Sequence, residues 1–446
     1  MNQNEIIQRS KSKSSKVLLF GVPKLGTSIL MGFVDFALFA LYYLGYGLDS
    51  FSVGVALGIG KLTIATSQFF FGWISDAKYT RWGRRKPYLV TLSLFLTISF
   101  IFLLLPSFFI DITDVSSVFI WLLIWNIMFN ISYGVTTPYN AWMAEQFTID
   151  ERPKVSQFQN LFGFIGTAIM TVFAMVVLTD FNEEIQASDI IPPVFLYSVV
   201  IFAIIPLILF YLITILMPKE PHFKIDSNMI DNLKTILKNK NFLLVTVMQG
   251  IASIAWIMIG SLILVYISEV LQFDSTSNLI ASIVFMLGIL IFLVIWRKLI
   301  EKLGRKRSLL YIFLTAIIFL PFSLFGLLPM ESTFIFGIIF ILGITACMGG
   351  WFLFPSIMYA DIAEDDEKST GELKAGIYTG FPSIVLNIFQ FFGLIIMGMI
   401  VALPDIVVGT GDPFSLGLLV FGPICSLILI GAYFFSRKFI KLDFEE

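Results

Sequence analysis

Charge is what this sequence has least of. Asp, Glu, Lys and Arg together make up 13% of its 446 residues, while 57% are hydrophobic and the mean hydropathy is +0.90. Ordinary water-soluble domains carry about 25% charged residues, so a soluble fold is excluded as the starting point. Histidine is nearly absent, represented by His222 alone, and the two cysteines, Cys347 and Cys425, each sit inside an apolar run. These scarcities leave no material for a disulfide framework, a thiolate metal site, a Cys-His pair or a His-dependent triad. A phosphate-cradling Gly-x-x-x-x-Gly-Lys-Ser/Thr loop is missing as well. No cofactor, no metal and no enzymatic activity is therefore expected. The 29 basic residues nearly balance the 31 acidic ones, which argues against a nucleic-acid partner.

What the chain does have is apolar length. A helix needs about 20 apolar residues to cross a bilayer, because lipid offers the backbone no hydrogen-bond partners. Such runs occur near 25–46, 51–74, 88–109, 116–143, 156–179, 192–217, 241–268, 278–296, 308–328, 333–359, 375–403 and 413–436. The expected fold class is an all-α membrane protein of about twelve transmembrane helices in two six-helix bundles. The 48 Phe and 32 Gly residues suit lipid-facing surfaces and close helix crossings.

The basic residues supply the orientation. They fall in the N-terminal tail (Arg9, Lys11, Lys13, Lys16), after every even-numbered span (Lys78, Arg81, Arg84, Arg85 and Lys86 after the second; Arg297 to Arg307 after the eighth) and in the C-terminal tail. Of all 29, only Lys24 and Lys61 lie elsewhere. By the positive-inside rule the basic side is cytoplasmic, so both termini are expected in the cytoplasm of a multi-pass protein of the cell membrane. The apolar stretch from Val17 to Tyr46 contains no evident small-residue cleavage site and reads as a retained first span.

The longest cytoplasmic connection divides the chain into an N-terminal bundle at 1–217, a linker at 218–240 and a C-terminal bundle at 241–446. A weak internal repeat agrees with that division. The segment from Gly72 to Pro87, ending Arg81-Trp82-Gly83-Arg84-Arg85-Lys86-Pro87, recurs as Ile295 to Arg307, ending Gly304-Arg305-Lys306-Arg307. Both copies follow the second span of their half, the pattern of transporters whose halves rock about a central site.

These residues resemble the major facilitator superfamily, and within it the glycoside-pentoside-hexuronide:cation symporters, the melibiose permease branch. Pro138, Ala144-Glu145 and Arg152-Pro153 after the fourth span carry the resemblance. So do Tyr359-Ala360-Asp361, Thr370-Gly371 and Gly376-Ile377-Tyr378 after the tenth. It implies a monomeric secondary active transporter, moving a small solute such as a sugar or glycoside by alternating access. A symporter with a proton or sodium as coupling ion, an uncoupled facilitator, and a carrier of lysolipids or other amphiphiles all stay open. The resemblance also puts Ser28, Ile64, Gln68 and Thr136 where that branch has cation-binding carboxylates, and Lys61 at a matching basic position.

Ionisable groups at membrane depth mark function. Asp35 and Lys61 are the candidates for a coupling pair, with Asp35 able to carry a proton once desolvated. Candidate solute-binding residues are Gln68, Asn130, Thr136, Asn140, Gln159 and Asn160 in the first half. Gln249, Tyr378, Asn387 and Gln390 are their counterparts in the second, with Trp256 and Trp351 as stacking surfaces. Asp76, Arg81, Arg84, Arg85, Glu145 and Arg305 are candidates for a cytoplasmic gate built of charge-assisted bonds. The acidic run Asp361 to Glu367 reads as a solvated face rather than a metal site.

Overall fold

The computed structural model describes residues 14–77, 79–148, 151–178, 181, 185, 191–219, 237–328, 333–355, 357–359, 362, 365, 375–408 and 412–442. The helices are α1 (Ser14–Gly21), α2 (Pro23–Phe36), α3 (Ser50–Ala77), α4 (Lys86–Leu104), α5 (Val115–Ser132), α6 (Thr136–Gln146) and α7 (Arg152–Phe173). They continue as α8 (Pro193–Leu216), α9 (Lys240–Val265), α10 (Ser275–Leu303), α11 (Arg305–Phe319), α12 (Phe334–Trp351), α13 (Ala375–Val401) and α14 (Gly417–Phe439). A two-residue antiparallel pair, β1 (Asp405–Ile406) and β2 (Phe414–Ser415), links α13 to α14. Among the described residues, 12 helical spans are long and apolar enough to cross a membrane.

Eleven of these spans overlap those read from hydropathy with ends that differ by at most eight residues; the first is displaced by ten at both ends. It runs over Ser15–Phe36 rather than 25–46, and irregular helix then continues through Leu38–Ala40 and a π-turn at Leu41–Gly45. Pro23 and Lys24 weaken the hydropathy signal at that point without breaking the helix. Proline fits the first turn of α2, where its missing N–H has no partner to lose. Lys24 thus lies near the middle of the first span, and Asp35 near the end of α2.

Packing divides the chain into two compact units. One comprises Met1–Ala37 and Leu62–Asp226, the other Leu38–Lys61 and Ser227–Glu446. Leu38–Lys61 thus packs with the second unit although it precedes the 218–240 linker in sequence.

In the first unit α2 packs closely on α7 and α8. A Cβ on Gly26 would sit 2.7 Å from the Pro206 Cα, and one on Gly166 2.5 Å from the Leu25 carbonyl oxygen. Such approaches need glycine, and in lipid they maximise dispersion contact where no hydrophobic force acts between helices. Thr97 of α4 donates to the Ala203 carbonyl of α8 at 2.7 Å.

In the second unit α9 is the central helix, the most thoroughly buried of the twelve spans. The first half of α3 crosses α13 at equally short range. The Ser50 hydroxyl donates to the Gly398 carbonyl at 3.0 Å, and a Cβ on Gly54 would meet the Leu394 oxygen at 2.5 Å. Trp296 of α10 donates to the Ala346 carbonyl of α12 at 2.7 Å. At the α10 start, Asp274 accepts the Ser277 amide at 2.9 Å, and the Ser277 hydroxyl and amide hold its carboxyl below the usual range.

The sequence repeat has a backbone counterpart. Gly83 and Gly304, just before the second basic run of each half, adopt φ of 106° and 82°. Only glycine takes these values without strain, and each starts the following helix, α4 or α11, within three residues.

Candidate functional site

The second unit holds a buried aromatic and amide cluster. Gln249 and Trp256 are seven residues apart on α9, so they share one helix face. Trp256 stacks on Trp351 of α12 with ring centroids 5.6 Å apart and planes at 24°. The Tyr359 hydroxyl donates to the Gln249 Oε1 at 2.8 Å, so that end of the amide is satisfied. Its Nε2 and the Trp256 indole N–H are buried and meet no acceptor among the described residues. A buried donor without an acceptor costs about 1–3 kcal/mol, so two on one face are the chemical signature of this cluster.

Among the first unit's amides the Gln159 Nε2 is likewise a buried donor with no acceptor among the described residues, whereas Asn130 is occupied. Asn130 Nδ2 donates to the Asn126 Oδ1 at 2.9 Å and to its carbonyl at 2.8 Å, while the Ser67 hydroxyl donates to the Asn130 carbonyl at 2.9 Å. Thr136 donates to the Tyr133 carbonyl at 3.0 Å. The Asn130 and Thr136 side chains are therefore spent locally, on α5 and the Tyr133–Val135 turn, and α3 joins α5 through the Ser67 hydroxyl. Gln159 is buried, Gln68 partly so, and Asn140 and Asn160 are exposed. In the second unit Lys61 is buried, and Asn387 and Gln390 are partly buried, with Asn387 turned back to the Ser383 carbonyl at 2.7 Å. The side chain of Tyr378 lies outside the described residues.

Asp35 interacts electrostatically with Tyr133, whose phenol also bonds the Thr27 hydroxyl. Asp35 belongs to the first unit and Lys61 to the second.

At the α3–α4 loop Arg84, Arg85 and Lys86 are buried, and the partner of the two arginines is Glu145. Arg85 donates to Glu145 Oε1 through Nε at 3.0 Å and Nη2 at 2.8 Å, and to the Ser75 hydroxyl through Nη1 at 2.6 Å. Arg84 Nη2 lies 3.4 Å from the same carboxylate oxygen. Lys86 donates to the Thr214 and Met217 carbonyls at the end of α8, both at 2.7 Å. Among the gate candidates, then, Arg84, Arg85 and Glu145 come together. Arg81 is exposed and contributes only its carbonyl, which accepts from Lys219 at 2.6 Å. Arg305 is exposed in the second unit, and the Asp76 side chain lies outside the described residues. All these bonds tie elements within one unit: α3, α4, α6 and α8.

Among the described residues no group of three His, Cys, Asp or Glu side chains could hold a metal. Most of the acidic run at 361–367 lies outside them, as does His222.

A family model described as MFS/sugar transport protein matches residues 19–441. The chain belongs to this family. As a member of it, the chain is a multi-pass membrane protein of the major facilitator fold, and it stands among membrane transporters rather than enzymes. It is 26% identical over 176 residues to an uncharacterized symporter of Synechocystis sp., over 38% of this chain and 32% of that one. It thus spans about a third of the length of that curated relative. Its fold matches the D-xylose-proton symporter with a TM-score of 0.66 at 14% identity, over 95% of this chain and 97% of that one. It matches the nucleoside transporter NupG with a TM-score of 0.64 at 15% identity, over 96% and 100%. For the inward-open xylose transporter XylE from E. coli the values are 0.60 and 17%, over 95% of each chain.

One membrane-depth charge was not among the sequence candidates. Lys24 is the single basic residue within the apolar stretch from Val17 to Tyr46. That isolation was the available signal, obscured by the position given to the first span.

Proposed function

We propose that this family member is a secondary active transporter of a small, hydroxyl-bearing solute of the sugar or glycoside class. It works as a monomer in the cell membrane, with both termini cytoplasmic. The observation that carries the solute class is the pair of acceptor-less donors, Gln249 Nε2 and Trp256 Nε1, beside stacked tryptophans on the most buried helix. Solute hydroxyls supply the missing acceptors, and an apolar ring face complements the indoles. The proton is the proposed coupling ion, carried on Asp35. In the melibiose permease resemblance Ser28, Ile64, Gln68 and Thr136 replace the cation-binding carboxylates, which removes the oxygen charge a sodium site needs. Alternating access converts the imposed gradient into solute movement.

The test is uptake of labelled pentoses, hexoses, nucleosides and lysolipids into proteoliposomes, under an imposed pH or sodium gradient or none. Sugar uptake driven by the pH gradient and lost in Gln249→Leu supports the reading. Uptake confined to lysolipids removes the sugar class, and uptake indifferent to both gradients removes coupling.

A further inference from the structure

Gln249 and Tyr359 make a bond whose direction fixes what the buried face of α9 presents. A primary amide has two ends of nearly equal size and opposite chemistry: its oxygen accepts and its nitrogen donates. A phenol can serve either end, since its oxygen accepts and its proton donates. The pair by itself therefore allows two arrangements, one leaving Nε2 open and one leaving Oε1 open. Thr246 decides between them. It stands three residues before Gln249 on the same face of α9, it is buried, and its hydroxyl lies against the Tyr359 phenol. No other partner meets that hydroxyl among the described residues. Its proton goes to the phenol oxygen, and the phenol proton goes on to Gln249 Oε1 at 2.8 Å. The reverse arrangement would leave Oε1 and one hydroxyl proton unmet, against Nε2 alone. The relay from Thr246 through Tyr359 to Gln249 thus makes Nε2 the open end.

The relay is seated from behind. Phe242, at the start of α9, packs edge-on against Tyr359 with ring centroids 5.9 Å apart. Phe242 is itself fixed by the helix cap, where the Asn239 side chain accepts its amide at 3.0 Å. The first half of the chain puts the corresponding tyrosine to another use. Tyr139 precedes Tyr359 by almost the interval that separates Gly83 from Gly304, and it stacks on Phe20 with centroids 5.0 Å apart. Its hydroxyl donates to the Phe20 carbonyl, a backbone partner. In the second half the equivalent proton is given to a side-chain amide instead.

Two turns along the same face, the Trp256 indole N–H, which can only donate, is open as well. Ser253, between them, spends its proton on the Gly250 carbonyl at 2.7 Å. We propose that Tyr359, steered by Thr246, is a positioning residue that locks the Gln249 amide nitrogen toward the solute, so that the site selects for a hydrogen-bond acceptor there and is indifferent to a hydroxyl proton. This rests on the reading of the Gln249–Trp256 face as the solute site and supplies its selection rule. Fluorine, which accepts weakly and cannot donate, therefore substitutes in part for the contacted hydroxyl, whereas hydrogen does not.

The experiment uses the full chain in nanodiscs. Glucose, galactose and xylose are compared, by thermal-shift titration, with their deoxy and deoxyfluoro derivatives, one hydroxyl replaced at a time. At the hydroxyl that Gln249 contacts, the parent is expected to bind the fluoro compound at least about threefold more tightly than the deoxy compound, the low end of one neutral hydrogen bond. Tyr359→Phe keeps the ring but frees the amide to turn, and is expected to bring that ratio down to about one. Thr246→Val, which removes only the donor onto the phenol, is expected to lower it part-way. A purely structural role would weaken all the sugars alike and leave the ratio unmoved. The amide orientation is read without any solute by isotope-edited infrared spectroscopy on glutamine labelled at the side-chain carbonyl carbon, with the Gln249 band identified by its loss in Gln249→Leu. Removing the phenol bond in Tyr359→Phe is expected to raise the frequency of that carbonyl. An unmoved band in Tyr359→Phe, equal binding of fluoro and deoxy compounds at every position in the parent, or an unchanged ratio in both variants overturns the proposal. A shifted band in a chain that binds none of these sugars upholds the Tyr359 lock and removes the sugar reading; sugar binding with an unmoved band does the reverse.

Discussion

Arg85 holds one oxygen of Glu145 through two nitrogens, Nε at 3.0 Å and Nη2 at 2.8 Å, and both side chains are buried in the first unit. The third donor of the fork, Nη1, is taken by Ser75. Arg84 leans on the same carboxylate. A buried pair of this kind adds little net stability while intact, because desolvation offsets the attraction, but removing one partner strands the other charge.

Glu145→Gln is accordingly expected to destabilise the first unit by about 3–5 kcal/mol, read as a lowered melting temperature of the purified protein. Ser75→Ala, which removes one neutral partner of a charged group, is expected to cost less, about 1.5–3 kcal/mol. A Glu145→Gln variant that melts like the parent yet transports more slowly would assign the pair to gating instead of to the integrity of the unit.

Gly398 should tolerate no side chain. Its added Cβ would lie 2.7 Å from the Ser50 oxygen and 3.0 Å from the Phe51 Cα, both backbone atoms that cannot swing away. Gly398→Val forces α3 and α13 apart and is expected to cost more than the about 1–3 kcal/mol of ordinary overpacking. Gly431→Ala, where a Cβ meets open space, is the control and should melt within about 1 kcal/mol of the parent, with glycine removal favouring the helix.

Stability and transport should separate at Gln249. Gln249→Leu removes the orphaned Nε2, a gain, and leaves the Tyr359 hydroxyl without its acceptor, a loss of similar size. The melting temperature is therefore expected to move little, while solute uptake falls at least about tenfold through the lost solute bond. A large drop in melting temperature with normal uptake per folded molecule would make Gln249 a packing residue.

Asp35→Asn keeps the shape of the side chain but removes the charge that acts on Tyr133 and cannot carry a proton. Gradient-driven uptake should disappear, whereas solute exchange across membranes without a gradient should persist. Loss of both activities would place Asp35 in solute binding or folding rather than in coupling.

The orientation can be tested with cysteines, since Cys347 and Cys425 are buried and give a low labelling background. An impermeant maleimide added to intact cells should label Thr113→Cys in the α4–α5 loop and spare Lys302→Cys at the end of α10, both exposed positions. The opposite pattern would invert the topology.

What the sequence by itself determined was the medium and the count. Twelve apolar runs, with 27 of the 29 basic residues confined to alternate loops and tails, prescribe a polytopic helical protein, because backbone hydrogen bonding in lipid allows little else. The Gly-Arg-Arg-Lys run and its echo at Gly304-Arg305-Lys306-Arg307 were visible too, since the left-handed glycines they need are local in the chain. Partners were not visible. Arg85 and Glu145 are 60 residues apart, and Gln249 and Tyr359 are 110 apart; pairing across such separations depends on which helices pack, not on any nearby residue. Nor could periodicity tell that Asn130 and Thr136 are spent on local bonds to Asn126 and Tyr133 while the Gln249 Nε2 meets no acceptor among the described residues. Only the packing of α2 on α7 across Gly163 turned Lys24 from a charge at the margin of an apolar run into a cation at membrane depth, because depth and company are properties of the fold.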